Sequence, residues 1–381
     1  MGKDGAALIV AGEDAGQALA ELYKEQGYYV AITPPATPGD FLEGMKKALG
    51  EAYGEVRVVT TTPMALGTGV YEVPTLNIPP GGRGRVLSVE ELKEKFAEGG
   101  VRTMAVVGPE VFDALKGVGL TSPLGERLSR GANAPAEVVV TRHPGLAEFL
   151  EEAGVAKPGA PVVPHASKED VSGKVVAGIL PPALAAEADA VVSVPPLGVG
   201  MTVELTKEEV AKVLEEKGFD PKAPIRYALL DMSDPKVYPD LVLLYQEAKE
   251  KGLERLKNFT ESLASTPLPP KLSEVLKAVA KEALEDFERA QTEAVADGKT
   301  PWPSPAENAL ENFLREVTER EGTLTLKHLY VGRELSEAVY EQTKMEGANA
   351  WAAAHLARSG DLAYRLQDSL QRESSSLEPG A

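Results

Sequence analysis

The chain has 381 residues, 43% hydrophobic and 26% charged, which is the balance of an ordinary globular protein long enough for two or three domains. It contains no cysteine, which excludes disulfides, thiolate metal sites and a cysteine nucleophile. The net charge of −18 is spread along the chain, −10 up to Ile225 (21 basic, 31 acidic) and −8 beyond it (19 basic, 27 acidic), so no extended basic surface is offered to a long duplex, while a small anion in a local pocket stays open.

The opening MGKDGAALIV lacks the apolar core of a signal peptide, and Ala6 breaks the myristoylation pattern. No apolar run approaches the ~18 residues that span a bilayer, so the expectation is a cytoplasmic protein without membrane contact. Short valine-rich runs then alternate with helical patterns and Gly/Pro turns, an α/β signature. Strands are predicted at 6–12, 55–61, 103–108, 137–141, 174–180, 190–195 and 226–231. The texture changes near residue 245. Beyond it LSEVLKAVAKEALEDF sets Leu272, Leu276, Val279, Ala283 and Phe287 on one helical face, and Ser304, Pro305 and Glu307 read as a capping box. Proline-rich breaks at 264–271 and 297–305 separate these helices, and RESSSLEPGA reads as a disordered tail.

The α/β part reads as repeated. VVTTTPMAL (58–66) lies 118 residues before VAGILPPAL (176–184), and LSVEEL (87–92) lies 118 before LTKEEV (205–210). In each pair a strand runs into proline, and a Ser/Thr-x-x-Glu capping box later opens a helix. ALIVAGEDAG (7–16) takes the place of VVVTRHPG (138–145).

The stretch VVVTRHPGLAEFLEEAGV, then His165, GKVVAGILPPALAAEADA and VPPLGVGMTVELTKEEV, resembles the CRISPR-associated Csx sixteen family across 138–225, with a degenerate second copy at 7–98. That family accompanies type III systems and is regarded as a ring-nuclease group acting on cyclic oligoadenylate. Its pattern joins a strand ending in Thr-Arg-His-Pro-Gly to Gly-x-Leu-Pro and a loop with Arg-Gly before Glu-Leu-[Ser/Thr]. The second copy has Gly200-Met201 where the family has Arg-Gly; the first keeps Arg-Gly in IPPGGRGRVLSVEEL but has Gly12-Glu13 in place of Arg-His. The resemblance implies two tandem Rossmann-like (CARF-like) domains, 1–130 and 131–245, followed by an all-helical domain at 246–381.

Ligands of open α/β sheets gather at the carboxyl ends of the strands, where Arg142 and His143 stand. Arg forks onto phosphate, His moves protons near neutral pH, and the following helix adds N–H groups for an anion. The competing reading has Arg142 and His143 capping the strand and pairing with surface Glu. His165 reads equally as a second acid/base or as a packing loop histidine. PPGGRGR, with Gly82, Arg83 and Arg85, reads as a phosphate-wrapping loop or as a flexible turn. GILPPAL, with Gly178 and Pro181, reads as structural, Pro181-Pro182 starting a helix, or as a segment whose exposed amides meet adenine.

The resemblance assigns Arg142, His143 and His165 to catalysis, and Thr141, Gly145, Gly82, Arg83, Arg85, Gly178 and Pro181 to the ligand. It implies a metal-independent phosphodiesterase without cofactor that cuts cyclic oligoadenylate, the tetramer first, with the two halves reading one ring across a shared edge. The alternative is a sensor that binds the ring uncut and signals through C-terminal helices to a partner or a second copy.

Overall fold

The strand AALIV at Ala6–Val10 (β1) is buried at every residue, as a strand covered on both faces must be. In the computed structural model, which describes residues 5–75, 87–200, 202–232, 234, 237–264 and 296, it belongs to a mostly parallel ten-stranded sheet. The chain divides into two compact units, one up to Met232 and one beyond it.

The first unit continues with α1 (Glu13–Glu25), β2 (Tyr29–Thr33), α2 (Gly39–Tyr53), β3 (Val56–Thr60), a 3₁₀ turn at Pro63–Ala65, β4 (Gly69–Pro74), α3 (Val89–Gly99) and β5 (Val101–Val107). Two helices, α4 (Pro109–Leu115) and α5 (Pro123–Asn133), lead on to β6 (Val138–Val140), α6 (Pro144–Glu152), β7 (Val162–Val163), α7 (Lys168–Val171), β8 (Val175–Gly178), α8 (Pro182–Glu187), β9 (Ala190–Ser193), α9 (Lys207–Glu216) and β10 (Arg226–Asp231). The seven predicted strands all form. Three more, β2, β4 and β7, were not predicted. β2 and β7 are the outer strands of the sheet, where one-sided burial weakens the apolar pattern, and β4 carries a glutamate in its middle.

The strand order is β2-β1-β3-β4-β5-β10-β9-β8-β6-β7. Read from either edge the pattern is the same. Three parallel pairings (β1 with β2, β1 with β3, β3 with β4) are followed by an antiparallel one to β5, and the second half repeats this with β6, β7, β8, β9 and β10. The 118-residue offset matches this pattern: β3 corresponds to β8, and α3 to α9. Both capping boxes form, Ser88 with Glu91 and Thr206 with Glu209.

The halves join where β5 and β10 pair antiparallel, Val107 facing Ala228 and Met104 facing Asp231. Arg127 on α5 fastens the joint, forking onto the carbonyls of Ala188 (2.7 Å) and Leu229 (3.0 Å). Half-buried Arg226 caps the end of α5 through the carbonyls of Gly131 and Ala134. Residues 130 and 131 both lie inside α5, so the chain is helical where the two repeats were divided.

One face of the sheet carries separate cores. Ala7 and Ile9 pack with Leu19, Tyr23 and Phe96, while Val139, Ala177 and Val192 pack with Leu146, Leu150 and Leu214. On the other face a single core runs across both halves, from Leu8, Leu42 and Val58 to Val176, Ala185 and Leu229.

Antiparallel joining has a consequence for direction. β1, β3 and β4 end at one end of the sheet, and β6, β8 and β9 end at the other. The expectation that 7–16 and 137–145 open onto a shared edge is therefore overturned.

In the second unit α10 (Val237–Glu250) and α11 (Glu254–Ala264) pack together across the turn at Lys251–Leu253, with Leu241, Leu244, Leu256, Phe259 and Leu263 buried. The helices predicted over 272–287 and from Ser304 onward lie outside the described residues. Among the described residues no helix is long and apolar enough to cross a membrane.

Candidate functional site

In the second half the crossover from β6 leaves through α6, whose Leu146 and Leu150 join the core of one face, while α7, which leads into β8, sends Val171 into the core of the other. The strand order therefore switches direction between β6 and β8, the place where a crevice opens in a sheet of this topology. Thr141, Arg142 and His143 leave β6 at that point, and Gly178 ends β8 beside Val140.

Local chemistry shapes the turn. The Thr141 N–H donates to the carbonyl of Val163 (3.0 Å), and the Thr141 hydroxyl accepts the His143 N–H (3.0 Å). His143 is the half-buried N-cap of α6, its side chain makes no capping bond, and Pro144 fills the first helical position. Pro144 has no N–H and the Leu146 N–H donates to the His143 carbonyl (3.1 Å), so in the first turn of α6 the Gly145 N–H is the donor left for an outside acceptor.

Arg142 and His165 come from different strands and meet. Arg142 is exposed, and its guanidinium lies 3.3 Å from Nδ1 of exposed His165, which follows β7. Arg only donates, so Nδ1 accepts, and the neutral ring carries its proton on Nε2.

Two of the predicted ligand residues act through the backbone. A Cβ on Gly145 would sit 2.3 Å from the carbonyl oxygen of Leu205, so glycine allows α6 to start against the capping box of α9. Gly178 has φ +138°, and a Cβ there would meet the carbonyl oxygen of Val140 at 2.4 Å. Both glycines are buried and leave no side chain for a ligand. Exposed Pro181 is the N-cap of α8. Gly82, Arg83 and Arg85 lie outside the described residues; β4, the strand before them, ends at the opposite end of the sheet from β6.

A cavity of about 300 Å³ opens at the end of the sheet where Arg142 stands, lined by Met64, Val106, Gly108, Ser193, Ile225 and Tyr227. Burial pushes the Tyr227 phenol up to about 12, so it is protonated at any physiological pH. Ser193 lies beside Gly178 in register, and Gly178 beside Val140, which places the cavity mouth two strand spacings, about 10 Å, from the start of the Arg142 turn. This cavity escaped the sequence reading because its lining comes from both halves.

The corresponding turn of the first half, Ala11-Gly12-Glu13, sits between β1 and β3 and carries Glu13 and Asp14 in the first turn of α1. It offers acid where the second half offers Arg142 and His143. Among the described residues no group of three His, Asp or Glu side chains is placed to hold a metal ion. Comparison with protein-family models, curated proteins and solved structures returns no match for this chain.

Proposed function

We propose that the second half binds cyclic oligoadenylate at the carboxyl ends of β6–β9 and cleaves it as a metal-independent ring nuclease of type III CRISPR defence, in a fold of two tandem Rossmann-like domains followed by a helical extension. The observation that carries this reading is the contact of Arg142 with His165 beside His143, at the switch point and against the N-terminus of α6. A phosphate there meets a cation, two imidazoles and the Gly145 N–H together.

The chemistry needs only these groups. His143 takes the proton of a ribose 2′-OH, whose oxygen attacks the neighbouring phosphorus. Arg142 balances the charge gathering on the non-bridging oxygens. The bond to the 5′-oxygen breaks, the Nε2–H of His165 donates a hydrogen bond to that leaving oxygen, and the proton held by His143 returns to it through solvent. The products are a 2′,3′-cyclic phosphate and a 5′-hydroxyl, so the ring becomes linear with no atom added. The cavity beside Ser193 is apolar enough to seat one adenine while its phosphate stays at the cation.

In this reading the ring lies at the end of the sheet where β6, β8 and β9 finish, opposite the end where β1, β3 and β4 finish. The test is incubation with cyclic tri-, tetra- and hexa-adenylate in excess chelator, with products separated by chromatography and thermal stability followed in parallel. Linear product ending in 2′,3′-cyclic phosphate is expected. Stabilisation without product leaves the sensor reading, in which occupancy is passed on to a partner or a second copy. Neither product nor stabilisation with any ring refutes both.

A further inference from the structure

Among the described residues β2 and β7 form the two edges of the sheet, and they differ sharply. β7 is two residues long and flanked by Pro161 and Pro164, a blunted edge. β2 is five residues long, YVAIT, and no charged residue stands between Gly27 and Gly39. Ile32 on this strand is 46% exposed, and the exposed ring of Tyr29 stacks on Tyr53 with centroids 4.5 Å apart. An apolar, uncharged edge of this length invites another strand.

Backbone parity defines what fits. The Tyr29 N–H donates to the Gly5 carbonyl, and the Thr33 carbonyl accepts the Ala11 N–H, so Tyr29, Ala31 and Thr33 are spent on β1. Val30 and Ile32 direct their N–H and C=O groups outward. An antiparallel copy of the same strand, related by a twofold axis through Ala31, sets Val30 opposite Ile32 of the second chain. Each such pair exchanges two hydrogen bonds, four in all, and brings Ala31 to Ala31 as the close pair without hydrogen bonds, where a small side chain fits. Val30 and Ile32 lie on the α1 face, so both cross-strand pairs are apolar.

We propose that the protein forms a twofold homodimer by antiparallel pairing of β2 with β2 of a second copy. A chain of net charge −18 repels its copy over most of its surface, and this uncharged edge relieves that repulsion. Isologous closure through one axis needs only one self-complementary strand. Edge-to-edge antiparallel pairing also already joins the two halves within the chain, at β5 and β10. The inference does not rest on the proposed activity.

Sedimentation velocity of the full chain, with Ile32→Lys and Ile32→Pro, tests it. Ile32→Pro removes one outward donor per chain and leaves the β1 ladder intact; Ile32→Lys opposes a charge to Val30 of the second copy. The wild-type chain is expected to be a dimer, and both variants are expected to dissociate at least about tenfold more readily with unchanged circular dichroism. Hydrogen exchange of the Val30 and Ile32 amides is expected to slow with rising protein concentration in the wild type alone. A monomeric wild type, or a dimer indifferent to Ile32→Lys, overturns the proposal; Ile32 is exposed enough that Lys there leaves the fold intact if Pro does not. Val30 and Ile32 amides protected in a monomer would assign the edge to another segment of the same chain and overturn it equally.

Discussion

The guanidinium of Arg142 and Nδ1 of His165 lie 3.3 Å apart, held at the ends of the neighbouring parallel strands β6 and β7. Each alone is an ordinary surface side chain. Together they bring a guanidinium and an imidazole to one point, which the proposed function assigns to a phosphate. Arg142→Ala is expected to weaken binding of cyclic tetra-adenylate by about ten- to a hundredfold, the scale of one lost charge-assisted contact. Arg142→Lys keeps the charge but loses the planar fork, so it is expected to recover only part of that affinity. Titration calorimetry on the three proteins checks this, and equal affinities would remove Arg142 from the site.

His143 sits at the N-cap of α6 with its ring uncommitted to the helix. In the proposed mechanism it takes the 2′-OH proton and so acts in the transition state. His143→Ala is expected to slow single-turnover cleavage by about 10²–10⁴-fold while affinity stays within about tenfold. A variant that cuts at the parental rate would show that another group takes the proton.

Gly145 and Gly178 shape the site by having no side chain. Gly145→Ala forces a methyl against the Leu205 carbonyl, and Gly178→Ala combines a 2.4 Å contact with a left-handed φ. Each is expected to cost about 1–3 kcal/mol, with Gly178→Ala the larger because strain adds to the clash. Urea unfolding measures both, and an unchanged midpoint for Gly178→Ala would mean that the ends of β6 and β8 are free to separate.

Much of this fold was legible because its signals are local. Ser88 with Glu91 and Thr206 with Glu209 announce two helix starts 118 residues apart, and both capping boxes form. The buried run of β1 and the valines of β6 announce central strands. What stayed hidden depends on distant partners. β4 reads poorly as a strand because Glu72 interrupts it, and that carboxylate is tolerated only through Tyr23 and Arg57 from other elements. Arg142 and His165 were both singled out, but their contact needs the pairing of β6 with β7. The opposed direction of the two halves rests on the pairing of β5 with β10, to which no single motif points.

Glu72 carries the last prediction. Its side chain lies almost wholly inside the first half, where the Tyr23 hydroxyl donates to one carboxyl oxygen and the Arg57 guanidinium reaches the other at 2.8 Å. Burial pushes this carboxyl up to about 7 against the pull of Arg57. A raised value means that the folded protein prefers the protonated acid more than the unfolded chain does. The contribution to stability is therefore complete below the ordinary value of 4.5 and is lost as pH rises through about 7. Other carboxylates titrate in the same range, so the informative quantity is the difference between the wild type and Glu72→Gln, whose amide is neutral throughout. Relative to the variant, the wild type is expected to lose about 1–3 kcal/mol as pH rises, the loss accruing between 4.5 and about 7 and levelling off above it. Urea unfolding of both proteins across that range measures it. A difference that is flat, or that grows in favour of the wild type as pH rises, would mean that Arg57 outweighs burial and that Glu72 stays ionised in the fold.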